Sequence, residues 1–163
     1  YGLSEGAPTE DGLFKDALTV YDYLAGRGDI DASSIIPFGR SLGSGVAVYL
    51  AAERPVRGVI LVTPFDSVRS IARARYPFIP VDLLLLHPFD SVDRAPGIKR
   101  PMLALVAETD RVVEPERSAR LTARWGGPAN YVRFPDTNHV SIVDARGYWP
   151  TIRDWLRRLP MTR

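Results

Sequence analysis

The stretch PFGRSLGSG, residues 37–45, places a serine between glycines where an apolar run ends and a helical pattern begins. A strand that enters a helix through a very tight turn strains the central residue, and the residues two positions away, Gly39 and Gly43, must then lack bulk. Such a turn lifts the Ser41 hydroxyl to the carboxyl end of the sheet and aims the N–H of Leu42 at a developing oxyanion. A Gly/Ser-rich turn without chemistry is the alternative interpretation.

Around this stretch, short apolar runs alternate with helical patterns. The runs that predict strands are SSIIPF (33–38), GVILVT (58–63), MLALVA (102–107) and YVRF (131–134). The helical patterns cover residues 9–25, 42–53, about 115–125 and about 149–159. Pro37 fits the first run poorly, because proline cannot donate a hydrogen bond to a central ladder. The alternation predicts one α/β domain over residues 1–163, built on a parallel sheet.

Residues 64–100 interrupt this alternation. The stretch YPFIPVDLLLLHPF within them is rich in proline and apolar residues but lacks a clean period. We expect either a small lid over the strand ends or a long connection packed onto the core.

A serine nucleophile needs a base and an acid that orients the base, in the chain order Ser, Asp, His. Asp110 comes three residues after the predicted strand 102–107, and His139 comes five residues after the strand 131–134. Because the carboxyl ends of parallel strands meet at one edge of a sheet, we expect Ser41, Asp110 and His139 to converge there.

Other residues compete for these roles. Asp66 follows the strand 58–63 and is the alternative acid, whereas Asp136 would have to fold back to reach the base. His87 in LLLLHPF is the alternative base, or a histidine of the lid or core. Arg40 is expected at a solvated or supporting position.

Composition narrows the function classes. The 163 residues carry a net charge of only +2, which gives no reason to expect a nucleic-acid partner. Without cysteine there is no disulfide, no thiolate nucleophile and no cysteine-bound zinc, and two histidines are too few for a histidine-built metal site. We therefore expect no metal and no cofactor. The chain starts at Tyr1, so a membrane anchor or targeting segment upstream would not be visible, and localisation cannot be read.

These residues together resemble the α/β-hydrolase superfamily, in particular its compact serine-hydrolase group. The resemblance rests on GRSLGSG, ETDRVVEP and DTNHV, and extends through the opening YGLSEGAPTEDGLFKDALTVYDYL and the later TPFDSV to nearly the whole chain. It implies hydrolysis of a small-molecule carboxylic ester or thioester through an acyl-enzyme, with Ser41, Asp110 and His139 as the catalytic triad.

The resemblance also shows two departures. Tyr1 and Gly2 correspond to a point inside the family's domain, so we expect the C-terminal part of a hydrolase, whose N-terminal strands and second oxyanion donor lie upstream. Residues 35–38 would then form an exposed apolar edge prone to association, and the isolated chain would be weakly active, since one oxyanion donor is worth about 10²- to 10³-fold in kcat. Secondly, Thr137-Asn138-His139 stands where many relatives have Gly-x-His, which indicates a different loop shape.

The apolar lid candidate suggests what the substrate is like. Tyr76, Phe78 and Phe89 are expected to bind a hydrophobic acyl group. Two other functions stay open: a non-catalytic binding protein on the same fold, and an acyltransferase that uses the same serine.

Overall fold

The computed structural model describes residues 6–160 as four strands with helices packed around them. The strands are β1 (Phe38–Arg40), β2 (Val59–Val62), β3 (Met102–Ala107) and β4 (Ala129–Phe134). The helices are α1 (Glu10–Ala25), α2 (Leu42–Glu53), α3 (Val68–Arg75), α4 (Val81–Leu84), α5 (Ser91–Arg94), α6 (Pro115–Arg124) and α7 (Tyr148–Arg158). All neighbouring strands are parallel, in the order β1-β2-β3-β4, which confirms the predicted α/β class.

Both faces of the sheet are covered. Every residue of β2 and β3 is buried, as expected for central parallel strands with helices on both sides. On one face Leu61 packs with residues of α1, α2 and α6, and on the other face Ile60 packs with Trp155 of α7. The carboxyl edge of the sheet is therefore held on a rigid core.

The first strand starts later than its apolar run predicts. The ladder covers residues 38–40 rather than 33–38. Pro37 has no N–H to donate, and only its carbonyl takes part, accepting from the N–H of Ile60 at 2.9 Å. Ile35 and Ile36 are apolar because they pack against the two core clusters. Phe38 on this outer strand is 48% exposed, and association through the edge stays a prediction.

Residues 64–100 form a compact excursion that contains α3, α4 and α5. Its two ends are tied together, since the N–H of Val68 donates to the carbonyl of Pro88 at 2.8 Å and that of Val92 to the carbonyl of Asp66 at 2.9 Å. Between these ties lies what we call the apolar segment 76–86, whose exposed large side chains are Tyr76, Phe78, Ile79, Leu83, Leu84 and Leu86. Its action as a lid stays a prediction. Within residues 6–160, no helix is both long and apolar enough to cross a membrane.

Candidate active site

Ser41 occupies a strained turn between β1 and α2. Its backbone has φ 50° and ψ −122°, a conformation that residues other than glycine rarely adopt. Hydrogen bonds hold it there: its N–H donates to the Val62 carbonyl at 2.9 Å, and its carbonyl accepts from the N–H and the hydroxyl of Ser44 at 2.8 and 2.6 Å. Leu42 is the first residue of α2, so its N–H has no acceptor within the helix and is available to a ligand.

The two glycines that flank Ser41 are not equivalent. A Cβ atom added at Gly39 would lie 2.2 Å from the Gly43 carbonyl oxygen, which leaves no room for a side chain. A Cβ atom added at Gly43 would meet no atom within 4 Å outside its two neighbours and the backbone of its own helix, among the residues that the structure describes. The expectation that both positions must lack bulk is therefore correct for Gly39 and wrong for Gly43.

The structure brings Ser41, His139 and Asp110 together at the carboxyl edge of the sheet. Nε2 of His139 lies 2.9 Å from the Ser41 hydroxyl oxygen, and Nδ1 lies 2.7 Å from Oδ2 of Asp110. The other Asp110 oxygen accepts from the N–H groups of Val112 and Val113 at 2.8 and 2.9 Å. The ionised carboxylate can only accept, so the network assigns the proton to Nδ1 and leaves Nε2 free to accept from the serine hydroxyl.

The two loops that carry Asp110 and His139 are fastened to each other. The N–H and the hydroxyl of Thr109 both donate to the Thr137 carbonyl, at 2.9 and 2.8 Å. The left-handed conformation in this loop falls on Asp136, with φ 55°, and Thr137 has no positive φ, so the loop accepts a threonine there.

Arg40 holds the backbone of the base, His139. Its Nη2 donates to the carbonyl of His139 at 2.8 Å, which joins the outer strand to the last loop of the site. The sequence predicts Arg40 only at a solvated or supporting position. The available signal was its place beside Ser41 at the end of β1.

The competing acid and base lie elsewhere. Oδ2 of Asp66 accepts from Nε of Arg120 at 2.8 Å and Oδ1 from the N–H of Ser67 at 2.9 Å. Burial by itself would raise the pKa of Asp66, but hydrogen bonds from Ser70, Arg120 and the Ser67 N–H outweigh it and hold the pKa below its usual value.

His87 accepts from the N–H of Glu10 at 3.4 Å through Nδ1. Within residues 6–160, no hydrogen bond joins His87 or Asp66 to Ser41 or His139. Over the same range, no group of three or more acidic or histidine side chains could hold a metal ion.

The aromatic residues expected to bind substrate separate into two environments. Tyr76 and Phe78 are exposed on the apolar segment 76–86, and Phe78 is 98% exposed. Phe89 is only 4% exposed and lies in a core cluster, with its ring against Phe14 at 5.5 Å between centroids. The assignment of Phe89 to substrate contact is thus corrected: its side chain packs inside the protein.

The profile of a family described as serine hydrolase matches residues 29–158. The chain belongs to the serine hydrolase family. It is similar to the alpha/beta hydrolase domain-containing protein WAV2 of Arabidopsis thaliana, at 32% identity over 97% of this chain and 58% of the relative. It is also similar to lysophosphatidylserine lipase ABHD12 of Xenopus tropicalis, at 34% identity over 91% of this chain and 42% of the relative. The chain thus spans about half the length of the curated relatives it matches.

Solved structures support the same fold. An acetyl xylan esterase from Paenibacillus sp. R4 superimposes with a TM-score of 0.76 at 20% identity, over 91% of this chain and 52% of the esterase. Together with the family match, this similarity confirms the predicted membership of the α/β-hydrolase serine-hydrolase group.

Proposed function

We propose that the protein hydrolyses carboxylic esters or thioesters through an acyl-enzyme on Ser41. The observation that carries the proposal is the continuous relay from the Ser41 hydroxyl through His139 to Asp110, with gaps of 2.9 and 2.7 Å. Separations of this size lie in the range over which a positioned base removes a proton in a reacting complex.

In the proposed first step, the Ser41 oxygen bonds to the ester carbonyl carbon while Nε2 of His139 takes the hydroxyl proton. The Leu42 N–H donates to the resulting oxyanion. Asp110 keeps the proton on Nδ1 and stabilises the imidazolium. The bond to the leaving alcohol or thiol then breaks, and the leaving group takes the proton from Nε2.

The second step repeats this chemistry with water. His139 removes a proton from a water molecule, whose oxygen attacks the acyl carbon, and the Ser41 oxygen leaves and recovers its proton from Nε2. The products are the carboxylic acid and the free enzyme. The side chains named here supply every proton transfer in both steps.

The exposed apolar segment 76–86 is the proposed contact for the acyl chain, through Tyr76 and Phe78. Exposed apolar side chains concentrated within eleven residues are typical of a surface that receives an apolar ligand. The names of two similar proteins, a lysophosphatidylserine lipase and an acetyl xylan esterase, agree with ester cleavage. These names do not fix the acyl chain length for this chain, which is left to experiment.

A fluorophosphonate probe tests the nucleophile directly, because it forms a covalent bond only with an activated serine. We expect labelling at Ser41, and Ser41→Ala should abolish it and lower the hydrolysis rate of p-nitrophenyl esters by at least about 10⁴-fold. Ser34→Ala is the matched control, since Ser34 is exposed in the turn before β1.

Other outcomes would identify the two remaining functions. A folded protein that neither labels nor hydrolyses any ester would be a binding protein on this fold. If acyl groups pass to an added alcohol or amine faster than to water, product analysis would identify an acyltransferase instead.

A further inference from the structure

A cavity lies next to the proposed active site, between α3 and the segment that follows Asp110. The charged side chains that line it are Arg75 from α3, and Arg111, Glu114 and Arg117 from the segment after Asp110 and the start of α6. Three arginines against one glutamate give the cavity a positive charge.

One of these arginines is already neutralised. Arg117 has a side chain only 6% exposed, and its Nε donates to the Glu114 carboxylate at 3.0 Å while Nη1 donates to the Ser70 hydroxyl at 2.7 Å and lies 3.6 Å from Asp66. Asp66 is also paired with Arg120 at 2.8 Å. Arg117 and Arg120 together therefore match the two acids, Glu114 and Asp66, and neither acid offsets the other two arginines.

Arg75 and Arg111 are unpaired. Within residues 6–160, no acidic side chain lies within ion-pair distance of either guanidinium, and neither makes a hydrogen bond. Two other arginines of α3, by contrast, are paired: Arg73 pairs with Asp82 and Arg69 with Asp90. Two free guanidinium groups on one cavity are well suited to a carboxylate or a phosphate, which arginine binds through paired N–H donors.

This cavity adjoins the reacting groups. Arg111 follows Asp110 directly in the chain, and Arg111 and Val112 also line the neighbouring cavity that contains His139. A group held at Arg111 would therefore lie against the cavity that His139 lines, one residue from the acid that contacts the imidazole.

We propose that Arg75 and Arg111 bind an anionic group, a carboxylate or a phosphate, carried by the ester on which Ser41 acts. The inference rests on the proposed ester hydrolysis and adds the substrate's charge to it. The substrate would then be amphiphilic, with its anionic group in this cavity and its acyl chain against the apolar segment 76–86.

Three esters that share the octanoyl chain test whether the charge of the substrate matters. They are the neutral 1-octanoylglycerol, the octanoyl ester of glycerate, which carries a carboxylate, and 1-octanoylglycerol 3-phosphate, which carries a phosphate. We expect Arg111→Ala and Arg75→Ala each to lower kcat/KM about tenfold for the ester with the preferred anion, mainly through KM. The rate for 1-octanoylglycerol should stay within about twofold of wild type, because it offers no anion to either arginine. The carboxylate and phosphate arms decide which anion is bound.

Arg124→Ala is the matched control, because Arg124 is exposed at the opposite end of α6 and has no ion-pair partner among the described residues 6–160. Equal losses for neutral and anionic esters in the Arg111 variant would overturn the proposal, since they would indicate a displaced Asp110 loop. Equal effects from Arg124→Ala would also overturn it.

A binding measurement separates this inference from the proposed reaction. In the Ser41→Ala background, isothermal titration calorimetry is run with octyl phosphate and with octanoate. For the preferred anion, the dissociation constant should be about tenfold larger in Arg111→Ala than in Arg124→Ala. Unchanged affinity would refute the anion site even if every ester is hydrolysed. Weakened affinity without hydrolysis of any ester would support the anion site and reject the proposed function.

Discussion

Asp110 and Asp66 follow neighbouring parallel strands, β3 and β2, and both are buried, yet their surroundings differ. At Asp110 two backbone N–H groups satisfy one oxygen, and the other faces a histidine ring. At Asp66 the partners are the guanidinium of Arg120, the hydroxyl of Ser70, a backbone N–H and, at 3.6 Å, the buried guanidinium of Arg117.

The difference lies in the charge beside each carboxylate. Asp66 has two permanent cations as partners, Arg120 and Arg117, so its charge stabilises the contact between α6 and the start of α3. Asp110 faces an imidazole that becomes charged only when it accepts a proton, so its own charge is available at that moment. We infer that the partners of each carboxylate, the imidazole of His139 at Asp110 and two cations at Asp66, decide which acid can serve the base.

The strongest test of this comparison is the pair Asp110→Asn and Asp66→Asn, measured by ester hydrolysis. Asp110→Asn should lower kcat by about 10⁴-fold, because an amide no longer fixes the productive tautomer of His139. Asp66→Asn should leave kcat within about threefold, since no bond joins Asp66 to the reacting groups. A fall in Asp66→Asn as large as in Asp110→Asn would show that the comparison is wrong.

The stability of the fold should depend more on Asp66 than on Asp110. Asp66→Asn should lower the free energy of unfolding at pH 7 by about 2 kcal/mol, because it removes charge-assisted hydrogen bonds to Arg120 and Ser70. The pKa of folded Asp66 lies below its usual value, so wild type holds this stability above about pH 4 and loses it as the pH falls through the folded pKa.

The measurement for this second prediction is urea unfolding at pH 7 and at pH 3, where the gap between wild type and Asp66→Asn should narrow. Asp82→Asn serves as control, because its pair with Arg73 is exposed on both sides and should contribute less to stability than the buried Asp66 does. A gap that stays constant with pH would assign the effect to packing instead of charge.

The smallest effect is expected at Arg40, which holds the backbone of His139 and not its ring. Arg40→Ala should lower kcat about fivefold with KM unchanged, the loss expected for one exposed hydrogen bond of about 1 kcal/mol. Arg40→Lys should recover part of the rate through its remaining donor. Steady-state kinetics with Arg100→Ala as control would test this, and a change confined to KM would contradict the positioning role.

The convergence of Ser41, Asp110 and His139 was predictable because it depends on two local signals. One is the tight strand-to-helix turn around Ser41, and the other is the shared edge at which parallel strands end. Both signals are written in a few consecutive residues.

The features that the sequence did not reveal depend on packing between distant segments. Ile35 and Ile36 read as a strand because burial on a core and burial in a ladder select the same side chains, and only Pro37 hints at the difference. Phe89 and the exposed Phe78 are both apolar and close in sequence, and only the fold separates core from surface. Arg75 and Arg111 share a cavity across 36 positions without any periodic relation.

The open space at Gly43 makes this position a useful handle for spectroscopy. The protein contains no cysteine, so Gly43→Cys would introduce its sole thiol, two residues from Ser41 and clear of other atoms in residues 6–160. A fluorophore or spin label attached there would report the arrival of a ligand at the serine in real time. The neighbouring Gly39 offers no such opportunity, because any side chain there would collide with the turn itself.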